Sequence, residues 1–548
     1  MAGGWHAEEE DDDNHNDGDD MTSRSILAAA ACALALQGAA RAEDALDLKL
    51  RNGWAVAVQQ EGAIAQRSNK TSYPKVTTSD AAQAWTYAGS GEWTSGFFPA
   101  NLWLLHGQFA ADGWSTQAQT WQNGMEGQDT NTGTHDVGFM VFTPFGNAYR
   151  LTGVDSYRQV ALTAANSLSQ RYNGTVGAVR SWGSNGDNAN FQVIMDNMMN
   201  LELLFWASRH GGSTALYNQA RSHALKTRDN HVRADGSSFH LVTYDPVTGG
   251  VKSRTTVQGY SDSSTWARGQ AWGIYGFTMT YRFTGETTFR DTARKMADWY
   301  LAHLPADSIP YWDFNDPAIP GAPRDTSAAA IAAAGLIELS LLETDATRAT
   351  TYRNAARTAL GALLSAPWFA TLGTPSNSQA LLLQSAYNHH AGNTLYNQGT
   401  AWGDYYLLEA MQRWRRIDPG LAALPVASVS ATSAQAGNPA ANAIDGSLAT
   451  RWSAEGDGQA ITLDLGSSRA IQKVGVAFYL GDQRTARFDI ATSPDGNGWT
   501  TRWRGISSGQ TTAKEFYDIT DVTARYVRIT GHGSTASQWN SITELTVH

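Results

Sequence analysis

Asp196 lies in the run Val193 to Ser208, VIMDNMMNLELLFWAS, whose other residues read as the buried face of a helix with Asn200 one turn below the acid. An ionised carboxylate among apolar side chains is costly unless it is paired or its pKa climbs, so it needs a partner or a chemical role. A second carboxylate, Asp136, follows His135 at the start of another apolar run, THDVGFMVFTPFGNAYRLTG. A third stretch, VQGYSDSSTWARGQAWGIYGF, supplies Gln258, Trp266, Arg268 and Trp272, with Arg268 and Trp272 four residues apart and so on one helical face. Carboxyls for proton transfer, a guanidinium for an anionic group and indoles for a sugar ring are the parts needed to process a sugar acid. Each has a plainer use as well: the aspartates can cap helices, Arg268 can pair with Asp262, and the tryptophans can fill a core.

The elements that must hold these residues are helical. Between about Leu46 and Arg416, apolar residues recur at helical spacing in SGFFPANLWLLHGQF, SAAAIAAAGLIELSLLE and WGDYYLLEAMQRW. In RLTGVDSYRQVALTAANSL and RFTGETTFRDTARKMADWYL a helix ends, Thr-Gly turns, and another helix begins. The rhythm predicts stacked α-hairpins whose ends gather around one cavity. One stretch, SSFHLVTYDPVTGGVKSRTTVQGYS, alternates in polarity around a turn and predicts an inserted β-hairpin. After Arg416 comes a Pro/Gly/Ala linker, then short β-rich runs such as QAITLDLG, IQKVGVAFYL and ARYVRITG, which predict a β-sandwich of roughly 120 residues.

The formal net charge of −11 over 548 residues is misleading, because the first twenty residues hold nine Asp or Glu and no Lys or Arg. Without them the charge is −2, which argues against a nucleic-acid partner. From Met21 the chain reads as an export signal: Arg24, an apolar stretch from Ile26 to Leu36, and Ala40-Arg41-Ala42 as a small-x-small cleavage site. The single cysteine, Cys32, falls inside that segment, so the exported protein would carry no disulfide and reside in the periplasm or outside the cell. No other run is long enough to span a membrane.

The ordered set GEWTSGFFPANLW, THDVGFM, MDNMMNLELLFWAS, STWARGQAWGIYGF, PRDTSAAAIAAAGL and WGDYYLLEA resembles glycoside hydrolase family 88, the unsaturated glucuronyl hydrolases, across nearly all of residues 46–416. The resemblance implies an all-α (α/α)6 six-hairpin barrel with a central active site. It places the general acid/base on Asp196, a second essential aspartate on Asp136, and substrate contacts on His240, Gln258, Arg268 and Trp272. Trp93, Phe97, His135, Trp182 and Trp266 match further pocket positions. The activity implied is removal of a 4,5-unsaturated uronic acid from the non-reducing end of lyase-generated oligosaccharides, by hydration of the C4=C5 enol ether and with no cofactor. Alternatives on the same barrel are an unsaturated rhamnogalacturonyl hydrolase, an ordinary inverting glycosidase using the two aspartates, or a catalytically silent glycan-binding protein. His389-His390 is read as a loop pair rather than a metal site.

The segment NPAANAIDGSLATRWSAEGDGQAITLDLG, ending in ARYVRITGHGSTASQWNSITELTVH, resembles the coagulation factor 5/8 type C (discoidin) jelly-roll fold, also seen as carbohydrate-binding module family 32. That resemblance implies a structural calcium near Asp445, Thr450 and Glu544, and makes Trp499, Trp503, Trp539 and Arg487 candidates for a glycan surface. The expected organisation is an acidic disordered extension (1–20), a signal peptide (21–42), the barrel (43–416), a linker (417–424) and the carbohydrate-binding-like domain (425–548).

Overall fold

The computed structural model describes residues 44–548, apart from 111–112, 126 and 374–376. The acidic extension, the signal segment and Cys32 lie outside the described residues.

Among the described residues the N-terminal part holds twelve α-helices. They are α1 (Ala45–Ala65), α2 (Phe97–Gln108), α3 (Trp114–Asn123), α4 (Thr143–Thr152), α5 (Asp155–Ser169), α6 (Asn197–Arg209), α7 (Thr214–His231), α8 (Ala267–Thr284), α9 (Thr287–His303), α10 (Thr326–Leu342), α11 (Ala346–Leu363) and α12 (Ala401–Trp414). Successive members pair as hairpins, and α2, α4, α6, α8, α10 and α12 form the inner ring, closed where α12 packs on α2. Their sequences explain the placement. Inner helix α10, TSAAAIAAAGLIELSLL, is buried around nearly its whole circumference, whereas outer helix α9 buries one stripe through Phe289, Ala293, Met296, Ala297 and Tyr300. The Thr-Gly turns close as read from the sequence: Gly153 and Gly285 take φ of +69° and +70° and return their N–H groups to Tyr149 O and Tyr281 O. That left-handed helix cap favours glycine.

Because each hairpin returns the chain to the same end, the inner helices start together at one end of the barrel and finish together at the other. Short strands decorate the starting end: β1 (Ser72–Thr77) with β2 (Trp85–Gly89), β3 (Tyr172–Asn173) with β4 (Ala178–Val179), β5 (Phe191–Ile194) with β6 (Leu241–Tyr244) and β7 (Val251–Thr255), and β8 (Ser385–Asn388) with β9 (Leu395–Gln398). The inserted hairpin is thus β6–β7, with β5 as a third antiparallel strand.

The C-terminal part is antiparallel: β10 (Ser428–Ala431), β11 (Trp452–Glu455), β12 (Gln459–Phe478), β13 (Ala486–Ser493), β14 (Thr500–Ile506), β15 (Glu515–Ser534) and β16 (Trp539–Val547), ordered β11-β16-β12-β15-β13-β14 with β10 on β12. Register breaks between Asp464 and Arg469 and between Ile471 and Lys473 bend the two long strands, so one hydrogen-bonded sheet folds over a core of Trp452, Ile461, Val476, Phe488 and Tyr517.

The sandwich sits on the finishing end of the barrel. Lys473 Nζ lies 2.7 Å from Asp47 Oδ1, Arg51 pairs with Asp518, Arg150 donates to Ser508 O, and Phe516 N–H donates to Arg415 O at 2.7 Å. Trp503 is packed between Phe488 and Tyr517 beside this junction. Its candidacy for an open glycan surface is therefore corrected: it is a core residue of the docked face, buried because strand alternation turns it inward. No helix among the described residues is long and apolar enough to cross a membrane.

Candidate active site

The starting ends of the inner helices carry the chemistry-bearing residues. Phe97 opens α2, Asp136 precedes the π-helical turn Gly138–Phe142 leading into α4, Asp196 precedes α6, Trp266 and Arg268 open α8, Asp325 caps α10, and Trp402 lies in the first turn of α12. The positive ends of those helix dipoles converge there, which favours an anionic ligand.

Asp196 is placed by the sheet rather than by a helix face. Val193 and Ile194, read from the sequence as helical, end strand β5, because β-branched residues pair well opposite Val242 and Leu241. The ladder continues as Met195 N–H donates to His240 O at 3.0 Å, which sets Asp196 beside His240. The helix then begins at Asn197, with Asp196 in the capping position but making no cap hydrogen bond. Its carboxyl is left for other work. Asn200 turns instead to the neighbouring helix, its Oδ1 accepting Phe139 N–H at 2.9 Å. That contact needs Gly138, since a Cβ there would lie 2.4 Å from Asn200 Oδ1 and 2.8 Å from Asn200 Cα. The close approach brings the Asp136 segment against the Asp196 helix.

Burial pushes the Asp196 carboxyl up to about 7; the charge of Asp136 adds to this, while Arg268 and a backbone N–H oppose it. His240 Nε2 lies 3.8 Å from Asp196 Oδ2. Burial lowers His240 to about 3, so the ring is neutral. Its Nδ1 accepts Val257 N–H at 3.3 Å, which assigns the ring proton to Nε2, on the Asp196 side. Asp136 accepts Thr134 Oγ1–H at 2.9 Å and stands 3.3 Å from the buried ring of His135. Asp196 Oδ2, His240 Nε2 and the Trp272 indole nitrogen are all buried without a hydrogen-bond partner. Three such atoms in one site are costly to fold unless a polar ligand satisfies them.

Aromatic rings wall the site. Trp93 packs on Phe97, Phe139 and Trp402 with centroids 5.9, 5.6 and 4.8 Å away, Phe139 reaches Trp272 at 5.4 Å, and His240 lies between Trp266 at 4.7 Å and Trp182 at 6.2 Å. The half-buried Gln258 rests against Tyr387 O at 3.5 Å. Arg268 differs from its reading as a free fork for a ligand carboxylate. It is fully buried, pairs with Asp325 at 3.2 Å, donates to Ala386 O and to Tyr387 O, and lies over the Trp266 ring at 4.4 Å. It reaches the pocket through its charge, and it pins the β8–β9 hairpin to the barrel.

The described residues hold no group of three or more His, Cys, Asp or Glu placed to share a metal ion. His389 and His390 instead bond backbone carbonyls, Asn393 O at 2.7 Å and Gly259 O at 2.6 Å.

Known proteins are similar to this chain in sequence and fold. An unsaturated glucuronyl hydrolase of Formosa agariphila is 42% identical over 60% of this chain and 81% of its own length. The chain belongs to the unsaturated glucuronyl hydrolase family. An unsaturated chondroitin disaccharide hydrolase of Streptococcus pneumoniae is 35% identical over 63% of this chain and 87% of its own. The crystal structure of an unsaturated glucuronyl hydrolase specific for heparin superposes with a TM-score of 0.64 at 35% identity, covering 68% of this chain and 98% of that one. The hydrolase is thus a glycoside hydrolase that removes unsaturated uronic acid from oligosaccharides, on an (α/α) barrel. Neither the ordinary glycosidase nor the silent binder is favoured. Residues 428–545 match the F5/8 type C domain.

Arg171 went unnoticed in the sequence, since nothing near it in SLSQRYNG signals a function. The hydrolase uses it as a clamp: it donates to Thr132 O at 2.8 Å, Arg180 O at 2.9 Å, and Ser181 O and Gly183 O at 3.1 Å. It thereby ties the loop before Asp136 to the loop carrying Trp182. On the sandwich, Trp499 lies under the Arg528 guanidinium at 3.7 Å, Trp539 is half-buried and Arg487 is exposed.

Proposed function

We propose that the hydrolase acts on the unsaturated uronic acid that polysaccharide lyases leave on glycosaminoglycan fragments, with Asp196 as the acid/base. The C4=C5 bond of that sugar is an enol ether. Proton transfer from Asp196 to C4 leaves an oxocarbenium-like centre at C5, water adds there as Asp196 accepts its proton, and the resulting hemiketal opens to release the remaining saccharide. One carboxyl group serves both steps, unlike the two required across an anomeric carbon. The observation that carries this reading is a buried carboxyl held near 7, its own Oδ2 unsatisfied along with His240 Nε2 and the Trp272 indole nitrogen, poised to be protonated at neutral pH and ionised after transfer. Asp136 holds a ring hydroxyl or steadies the cationic centre. Trp93 and Trp182 stack on the sugars, and Gln258 with the field of Arg268 receives the uronate carboxylate. The glycosaminoglycan source is supported by relatives named for chondroitin and heparin fragments.

The test is a panel of lyase-generated disaccharides, sulfated and unsulfated, followed by loss of the ultraviolet absorbance of the conjugated C=C. Asp196→Asn should bind but not turn over. A chromophore that persists while sugar is released would refute hydration.

The F5/8 domain, on this reading, binds glycan at its free face, with Trp499, Trp539 and Arg487 as candidates, and the protein is exported. A calcium site in this domain fits the donor chemistry. Asp445 accepts Ser447 N–H and Thr450 Oγ1–H, Glu544 accepts Gly446 N–H at 3.1 Å, and burial with the nearby Asp445 charge raises the Glu544 pKa. Two carboxylates, Asp445 in the turn and Glu544 reaching it from β16, suit a hard cation. Asp445, Thr450 and Glu544 would hold it, and its part would be structural.

A further inference from the structure

The junction of barrel and sandwich encloses a cavity of about 70 Å³. Five charged side chains line it: Asp47, Arg51 and Arg415 from the barrel, and Lys473 and Asp518 from the sandwich. Four of them form two pairs, Lys473 with Asp47 at 2.7 Å and Arg51 with Asp518. Arg415 is the fifth. Both its terminal nitrogens are buried with no hydrogen-bond partner, and only its Nε reaches an acceptor, Gln412 O at 3.4 Å. Glu515, the nearby sandwich carboxylate, is already engaged by Ser508 N–H and the Tyr517 hydroxyl. A guanidinium never sheds its charge in a protein, so its buried N–H groups require acceptors or a counterion.

We propose that this cavity is a binding site for one small oxyanion of the sulfate or phosphate class, held by the Arg415 fork with Lys473 opposite it. A planar guanidinium matches two oxygens of a tetrahedral oxyanion, while the ammonium acts as a point charge. Three cations against two carboxylates leave the wall with an excess of positive charge, which attracts an anion. About 10–15 Å³ accommodates a single water, so a cavity of this size has room for such an ion. Since Arg415 belongs to the barrel and Lys473 to the sandwich, the anion joins the two domains.

The test is equilibrium dialysis of the full-length Asp196→Asn protein with radiolabelled sulfate at constant ionic strength. The expected result is one saturable site per chain, displaced by phosphate, and unmoved when the active site is filled with an unsaturated disaccharide. Arg415→Met in the same background should weaken binding at least tenfold. Leu50→Phe, which fills the cavity from its barrel wall and leaves every charge in place, should do the same and covers the case in which Arg415→Met does not fold. Absence of saturable binding, displacement by the disaccharide, displacement by chloride at sulfate-like concentrations, or unchanged affinity in a folded variant would each overturn the proposal.

Discussion

Replacing Asp196 by Asn should make the hydrolase inactive and, at alkaline pH, more stable. In the unfolded chain this carboxyl titrates near 3.8; in the fold, burial with help from Asp136 lifts it to about 7. Between those values the folded state holds a proton that the unfolded state has lost. Stability therefore falls as pH rises from about 4 to about 7, then levels off. The gap corresponds to about 4 kcal/mol, an upper figure because 14% of the side chain is open to the pocket. An unfolding entropy of roughly 2 cal/mol/K per residue over the barrel turns this into a shift of about 5 °C. Thermal unfolding of wild type and Asp196→Asn from pH 4 to pH 9 should show curves that nearly coincide at pH 4 and separate by up to that amount above pH 7. A separation independent of pH, or a variant less stable than wild type at pH 8, would refute the electrostatic account of the site.

Wild-type kcat should decline above about pH 7 as Asp196 loses its proton before transfer, seen in the ultraviolet assay across pH 5–9. Arg171→Met should lower kcat/KM by roughly a hundredfold through displacement of the Asp136 and Trp182 loops, while circular dichroism stays unchanged. Lys473→Met leaves Asp47 buried without its partner and should cost about 3 kcal/mol, read as a lower midpoint in thermal unfolding. Chelation should lower the unfolding temperature of the sandwich, and calcium in excess of chelator should restore it, whereas Glu544→Gln should be insensitive to both.

The fold was legible wherever one local rule decides an element. Inner helix α10 announces itself as an Ala-rich run without a polar face, the Thr-Gly turns mark where a left-handed cap is required, and the inserted hairpin alternates in polarity. The carboxylates were legible because acids in apolar surroundings are conspicuous. What could not be read depends on contacts between distant segments. Asp196 looked helical because the apolar residues of VIMDNMM run on into NLELLFWAS, and only the pairing of Val193 and Ile194 with β6 draws them into a strand. Arg268 looked like a ligand fork until Asp325, 57 residues away, and the carbonyls of Ala386 and Tyr387 took its terminal nitrogens. Trp503 stands between Arg502 and Arg504 in the sequence, and only its packing on Phe488 and Tyr517, from other strands, shows that it faces the sandwich core.

The two ends of the barrel divide the labour. At the starting end, helix N-termini leave N–H groups unpaired and attract anionic sugar, and the residues that vary chemistry sit in loops and first turns. At the finishing end, helix C-termini carry Arg413, Arg415 and Arg416, cations placed against the negative ends of the dipoles. Arg413 crosses to α10 and pairs with Glu338 at 2.8 Å, and Arg282 reaches the same carboxylate at 3.0 Å, so burial of Glu338 is outweighed and its pKa falls to about 2. That charged plug closes the barrel axis beneath the aromatic floor, where Tyr406 touches Trp272 at 5.2 Å and Tyr275 at 5.6 Å. Arg413 also bonds the Tyr275 hydroxyl, and Arg416, three residues on, donates to Gln510 of the sandwich at 3.0 Å, so one short segment joins the junction to the rings supporting Trp272. A sandwich that fixes the finishing end therefore stiffens the floor on which the substrate's ring rests, and loosening the junction should raise KM before it lowers kcat.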